Sequence, residues 1–252
     1  MNIVVCIKRV PATDSRIKIG DDGTSIDPAQ IEWIISPYDE FAVEAALQMK
    51  EAAGGGEVTI LSLGPAESTK ELRTCLAMGA DKAVLLKDAD AGGRDATATA
   101  ALLADAIGGL NADLVLCGKQ AVDRDQGQVG TLLAAKLGLP CVTEIRKLEI
   151  ADGTASVERA GEDGTSETYN VTLPAVLTCT KGLNEPRYAS LKGIMMAKKK
   201  PIDERDVSTP EGALQLASLE LPPPRRDGRI VGEGAEAVPE LMRLLREEAK
   251  VL

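Results

Sequence analysis

There is no histidine anywhere in the 252 residues. That absence removes the side chain most often used to move protons near neutral pH, and with it histidine metal sites and the usual Ser-His and Cys-His nucleophile pairs. Aromatic residues are scarce as well, at 2%. The core must therefore be built from Ala, Val, Leu and Ile, and stacked-base platforms of the single-strand-binding kind are disfavoured. The cysteines, Cys6, Cys75, Cys117, Cys141 and Cys179, are odd in number, scattered, and without a C-x-x-C pair. Neither a zinc site nor a disulfide framework fits them, so reduced, mostly buried thiols in a cytoplasmic setting are expected. No apolar run reaches membrane-spanning length, and residues 2–7 are too short for a signal-peptide core, so the chain reads as soluble and not membrane-embedded. Positive charge is outweighed by negative, 29 residues to 39, for a net charge of −10. Nucleic-acid binding is not expected from that balance, and the short run Lys198-Lys199-Lys200 reads as a solvated surface segment.

What is present is an ordinary globular composition, 44% apolar and 27% charged, in a length that fits one domain or one domain with extensions. Ile3–Ile7, Val58–Leu63, Ala83–Leu86 and Leu114–Cys117 are continuous apolar runs, the pattern of parallel strands covered on both faces. Helical patterns lie between them. In the clearest, Ser36 stands at the N-cap position, Pro37 opens the helix, Asp39 and Glu40 favour its positive end, and Gly54-Gly55-Gly56 ends it. Tyr38, Phe41, Ala42, Ala45 and Met49 share one face of it. Further helices fit Ser68–Met78, Asp95–Ile107 and Gln128–Leu137. This alternation predicts right-handed βαβ units in an α/β, doubly wound, mostly parallel sheet.

After Pro140 the texture changes. Residues 141–150, 154–160 and 166–180 read as strands divided by Asp152-Gly153 and Asp163-Gly164, a hairpin-like β excursion. A basic, proline-containing loop comes next, and Pro222-Pro223-Pro224 forms a stiff linker. Pro239–Leu252 is amphipathic, with Leu241, Leu244, Leu245 and Glu248 at helical spacing. The expected organisation is a nucleotide-binding α/β domain over 1–221 and a C-terminal arm over 222–252.

In an open α/β sheet, ligands sit beyond the carboxyl ends of the strands where the strand order reverses. Cys6–Arg9, Ser36–Asp39, Leu63–Pro65 and Gly118–Val129 should converge there. The last of these, Gly118, Lys119, Gln120, Ala121, Val122, Asp123, Arg124, Asp125, Gln126, Gly127, Gln128 and Val129, is polar, contains glycine, and leads into a helix. Two readings of it stand side by side: a cradle of backbone N–H groups for a phosphate, and a polar βα loop with ordinary capping residues. Asp123 and Asp125 are candidates to accept from a ribose or to position Arg124, and Lys8 and Arg9 are candidate phosphate contacts. Loop capping outweighs a metal site or a carboxylate acid/base pair for the two aspartates. Neither G-x-G-x-x-G nor G-x-x-x-x-G-K-[ST] occurs.

Several of these segments carry a family resemblance that spans nearly the whole chain. "VVCIKRVP", "SPYDEFAVEAALQMKE", "LGPAES", "LAMGADKAVLL", "LCGKQAVDRDQGQVG" and above all "LPAVLTCTKGLNEPRYASLKGIMMAKKKPI" resemble the β-subunit of electron-transfer flavoproteins. The resemblance implies a Rossmann-like fold of the adenine-nucleotide-binding type and a heterodimer with a larger α-subunit that holds most of a redox-active FAD. The C-terminal arm would pack on that α-subunit. It implies an electron carrier rather than a stand-alone enzyme, accepting electrons from flavin dehydrogenases such as acyl-CoA dehydrogenases and passing them to a membrane quinone oxidoreductase or another acceptor. Nucleotide contacts carry over onto Cys6, Ser36, Pro37, Tyr38, Asp39, Leu63 and the loop Gly118–Val129. In conventional members the nucleotide is AMP; in electron-bifurcating members the same pocket holds a second FAD. Gly127-Gln128-Val129-Gly130-Thr131 matches neither branch fully, so both nucleotides stay open. The dehydrogenase-docking loop maps onto 183–196, with Leu191 as its anchor and Arg187 and Tyr188 beside it; without the resemblance, Leu191 reads as a core residue of a short helix. A nucleotide-binding regulatory or ATP-hydrolysing module on a similar fold is the alternative from another class.

Overall fold

The computed structural model describes residues 1–207, 213–214, 216–224 and 227–252. The chain divides into two compact units, Met1–Ser218 and Leu219–Leu252.

In the first unit the strands are β1 (Asn2–Ile7), β2 (Arg9–Pro11), β3 (Trp33–Ile35), β4 (Glu57–Gly64), β5 (Lys82–Lys87), β6 (Leu114–Gly118), β7 (Cys141–Ala151), β8 (Thr154–Ala160), β9 (Ser166–Thr172), β10 (Ala175–Cys179) and β11 (Ile202–Asp206). The helices are α1 (Pro37–Ala52), α2 (Thr69–Met78), α3 (Ala96–Gly108), α4 (Val129–Leu137) and α5 (Leu191–Ala197). Among the described residues nine strands form one sheet in the order β11-β5-β4-β1-β6-β10-β7-β8-β9, while β2 and β3 pair separately. From β11 to β7 every neighbouring pair is parallel; β8 and β9 continue antiparallel. This is the doubly wound, Rossmann-like α/β fold expected from the alternating runs.

Alternation along each strand divides the core in two. Ile3, Val5 and Ile7 point to one face with Ile60, Leu85, Leu116 and Leu177, and are covered by Ala42, Val43, Ala46 and Leu47 of α1 and Leu72 and Leu76 of α2. Val4 and Cys6 point to the other with Leu61, Val84, Val115 and Val176, covered by Ala100, Leu103 and Ile107 of α3 and Leu133 of α4. Tyr38, Phe41 and Met49 lie only half-buried, so the buried face of α1 is the narrower, alanine-rich one. Gly130, in the first turn of α4, allows a close helix–sheet approach, since a Cβ there would stand 2.5 Å from Thr178 Cγ2.

Three differences from the sequence reading have plain causes. Residues 166–180 are two strands, because the chain breaks at Leu173-Pro174 and β10 crosses back to lie parallel between β6 and β7. The stretch read as a basic loop contains β11, an edge strand whose residues after Ile202 are charged and exposed, so it carries no apolar signal. Ser36 occupies the N-cap position of α1, yet its hydroxyl makes no cap bond. The turn at Asp152-Gly153 is as read, with both residues at positive φ (49° and 72°), as a two-residue hairpin of the I′ type requires.

The second unit contains α6 (Val238–Glu247), with Pro239 in its first turn. Arg243 bridges Glu240 and Glu247 on its polar side at 2.7 Å each, and Leu244 is buried.

Leu116 and Leu177 are fully buried on adjacent central strands. Leu116→Ala is expected to lower unfolding stability by about 2–5 kcal/mol, read from the midpoint of a denaturant titration.

Candidate functional site

Strand order reverses at β1. From β1 the chain winds outward through β4 and β5, then crosses to β6 on the other side. The crevice therefore opens between the chain leaving β1 at Lys8 and the chain leaving β6 at Gly118.

The first turn of α1 enters this crevice and binds both walls. The Lys8 N–H donates to Asp39 Oδ2 at 2.8 Å, and the Gly118 N–H donates to Asp39 Oδ1 at 2.9 Å. The Ser36 N–H donates to the Lys8 carbonyl at 2.9 Å. Asp39 is buried, and burial raises its carboxyl to about 7 against the opposing effect of the two N–H groups and Lys8. The sequence reading gives Asp39 the helix dipole and a nucleotide contact; its bonds to the two walls are not part of it. Position 118 has to be glycine: a Cβ there would collide with Asp39 Oδ1 and come within 2.8 Å of the Asp39 nitrogen.

The loop after β6 is held by its own set of partners. Lys8 Nζ pairs with Asp123 Oδ2 at 2.6 Å across the crevice. The Lys119 N–H donates to the Cys179 carbonyl, and Lys119 Nζ stands 5.1 Å from the centre of the Tyr38 ring. Gln120 Nε2 donates to Asp125 Oδ1 at 2.7 Å. Arg124 donates to the carbonyls of Gly92 and Arg94, in the loop after β5. Asp123 and Asp125 thus have Lys8 and Gln120 as their described partners, rather than Arg124. Asp125 and Gly127 turn the loop with φ of 51° and 61°, and Ala121, Val122, Gln126, Gln128 and Val129 complete its path into α4.

The remaining sequence candidates fall into place around this crevice. The Cys6 side chain packs with Cys117 in the core beneath α3 and α4, and Leu63 is half-buried against the same cluster. Pro37 and Tyr38 are half-buried at the start of α1. Arg9 points away from the crevice loop: it pairs with Glu71 Oε2 at 3.2 Å and lies 4.3 Å from the Trp33 ring centre. The Ser36 hydroxyl is fully buried and has no hydrogen-bond partner among the described residues. Among those residues there is no group of three or more Cys, Asp or Glu side chains arranged to hold a metal, and no helix is long and apolar enough to cross a membrane. The cysteines are all free thiols.

A second feature stands apart from the crevice, at the other end of α1. Arg187 donates from Nε and Nη2 to Glu44 at 2.8 and 2.9 Å, and from Nη1 and Nη2 to Glu51 at 2.6 and 3.0 Å. Asn184 Nδ2 donates to the Phe41 carbonyl at 3.0 Å. These bonds fix the base of the segment leading into α5, while Tyr188 and Leu191 at its tip are 98% and 83% exposed. Leu191 is therefore no core residue. Ser190 caps α5, accepting from the Gly193 N–H at 3.0 Å. No local signal marks Glu44 as the partner of Arg187, since the two are 143 residues apart.

A doubly wound sheet with its crevice at the reversal of strand order defines a Rossmann-like protein. The chain belongs to the electron transfer flavoprotein family, as a β-subunit. Residues 24–210 match the family model described as the electron transfer flavoprotein domain. The chain is 43% identical to the electron transfer flavoprotein subunit beta of Bacillus subtilis, with all of both chains covered. It is 38% identical to the subunit beta of Syntrophomonas wolfei, over 100% of this chain and 98% of the relative. It is also 45% identical to the caffeyl-CoA reductase–Etf complex subunit CarD of Acetobacterium woodii, over 80% of this chain and 77% of that one.

Arg187→Ala leaves the buried Glu44 carboxylate without its cation. Stability is expected to fall by about 2 kcal/mol or more, as when one partner of a largely buried ion pair is removed. Denaturant unfolding measures it, and a change within about 0.5 kcal/mol, the range of ordinary surface substitutions, would show that the pair contributes nothing.

Proposed function

We propose that the chain is the smaller subunit of a heterodimeric electron carrier and that its crevice holds AMP. A larger α-subunit holds most of the redox-active FAD, and this chain forms part of the wall beside it. Electrons arrive from flavin dehydrogenases, such as the acyl-CoA dehydrogenases of fatty acid oxidation, in transient encounters. They leave to a membrane quinone oxidoreductase or another acceptor. The setting is the cytoplasm. The observation that carries this reading is the likeness to the Bacillus subtilis subunit, 43% identical with all of both chains covered.

The residues fit these roles. The unpartnered, buried Ser36 hydroxyl and the main-chain N–H groups leading into α4 suit an adenine nucleotide with one phosphate. The missing dinucleotide fingerprint leaves the pyrophosphate of the redox FAD to the larger subunit. The flavin supplies the electron chemistry, while the protein supplies binding, orientation and exclusion of side reactions. Leu191 and Tyr188 form an apolar anchor on a fixed base, suited to a small interface that must also release. The unit Leu219–Leu252, with Val238 and Leu241 exposed on α6, serves to hold the larger subunit.

A second reading, a subunit of an electron-bifurcating complex with a second FAD in the same crevice, is favoured by the 45% identity to a reductase–Etf complex subunit. Co-purification with the larger subunit, acid extraction and chromatography separate the two. One FAD and one AMP per heterodimer are expected. Two FAD and no AMP would replace the first reading with the second, and an extract without flavin would sink both.

Leu191→Ala is expected to weaken coupling to a partner dehydrogenase about tenfold, equivalent to about 1.4 kcal/mol. Flavin content and the melting temperature of the heterodimer should stay unchanged, because the side chain is exposed. Steady-state electron transfer from an acyl-CoA dehydrogenase, run beside a melting curve, measures both. A variant that transfers electrons normally would remove Leu191 from the interface.

A further inference from the structure

The bonding of Asp39 goes beyond what a nucleotide-contacting residue needs. Both carboxylate oxygens are committed to backbone N–H groups of this chain, one on each wall of the crevice. The two walls are otherwise joined by the strand register, which pairs Cys6 with Cys117 and ends there, and by the Lys8–Asp123 pair. We propose that Asp39 is a positioning residue, a carboxylate clamp that sets the spacing of the Lys8 and Gly118 backbone and, through it, the retention of the nucleotide. The inference rests on the crevice being a nucleotide site.

The clamp's oxygens have no room for a ligand, since Asp39 is buried and the glycine at 118 brings the strand end against the first turn of α1. The hydroxyl of Ser36, three residues earlier, is buried and has no partner among the described residues. Asp39 orders the main chain from which the loop Gly118–Val129 departs, so it acts on the nucleotide only through that loop and Lys8.

The clamp is also sensitive to protons. Burial raises the Asp39 carboxyl to about 7. The charged and titratable groups around it are Lys8 at the end of β1, Asp123 in the loop after β6, Cys117 on β6, Cys75 on α2, Cys179 on β10, and Glu40 beside it in α1. Burial pushes up the thiols of Cys75 and Cys179, and Cys117 is pushed up by its hydrogen bond with Cys6 and then by burial, so all three stay neutral through this range. Above pH 7 both Asp39 oxygens accept. Below it, the added proton removes the charge that strengthens both bonds and leaves the protonated oxygen a poor acceptor, so one wall is loosened. If only the ionised clamp holds nucleotide, the competent fraction falls from about 0.9 at pH 8 to about 0.1 at pH 6, and the apparent dissociation constant rises about tenfold.

Equilibrium dialysis of radiolabelled AMP against the nucleotide-free heterodimer between pH 5.5 and 8.5 tests this, with Asp39→Asn beside the wild type. Asparagine keeps the shape but offers one acceptor and no titration. The variant should bind AMP at least tenfold more weakly at pH 8, and its profile should show only the titration of AMP's own phosphate, near pH 6. The wild-type profile should carry the additional loss centred near pH 7. Parallel profiles for the two proteins would overturn the clamp and leave the nucleotide reading intact; no AMP binding by the wild type at any pH would overturn both. Should Asp39→Asn fail to assemble, hydrogen exchange of the wild type decides. Protection of the Lys8 and Gly118 amides, corrected for intrinsic rates, should drop from pH 8 to pH 6, and equal protection would overturn the proposal.

Discussion

The carboxylate of Asp39 is the point on which the crevice depends. At a reversal of strand order two adjacent strands send their chains away in opposite directions, and sheet hydrogen bonding no longer governs the backbone past the strand ends. Here the last residues paired between β1 and β6 are Cys6 and Cys117, and beyond that pair Lys8 and Gly118 each present an N–H to the same side chain. The side chain extends the sheet by one step, substituting a carboxylate for the missing ladder. A buried carboxylate is normally costly. Two N–H donors and the cation of Lys8 offset part of that cost, and the remainder shows as a carboxyl that titrates far above its ordinary range.

Small side chains make this arrangement possible. With 2% aromatic residues, the helices that cover the sheet present Ala42, Ala45 and Ala46 from α1 and Ala96, Ala98, Ala100 and Ala106 from α3. Helices faced with alanine can lie close to the strands, because packing distance is set by the side chains at the contact. A short aspartate in the first turn of α1 then reaches the main chain of two strands. The same closeness explains the glycines at 118 and 130, where any Cβ would meet Asp39 or Thr178.

Much of this fold is legible in the sequence because parallel strands buried on both faces advertise themselves as apolar runs, and α1 through α4 begin and end within a residue or two of their sequence signals. Local structure decided elsewhere in the chain is not legible in the same way. β11 is recognisable only through its pairing with β5, since Asp203, Glu204, Arg205 and Asp206 give no core-facing pattern. Pro174 sits inside an apolar run that hides a break between two strands. Asp39 reads as a dipole residue because Ser-Pro-Tyr-Asp-Glu is an ordinary helix opening. Its actual role is set by Gly118, 79 residues away. Arg187 reads from the sequence as a partner-recognition residue, and its guanidinium pairs with Glu44 and Glu51 of its own chain. In each case the deciding partner is remote in the chain.

The position of α1 links these observations. A helix of 16 residues is about 24 Å long at 1.5 Å per residue. Its first turn carries the clamp on the crevice, and its later turns carry Phe41, Glu44 and Glu51, which hold Asn184 and Arg187. An exposed leucine on an unanchored loop would lose much conformational freedom on docking, and that loss would subtract from its affinity. Leu191 instead begins a capped helix beyond a base held by charge-assisted bonds, among the stronger kind of hydrogen bond. The start of that helix is therefore held in place by the chain itself. One rigid, alanine-faced helix thus fixes both the wall of a ligand crevice and the base of an exposed apolar tip, and the burial of that helix against β1, β6 and β10 is what keeps the two in register.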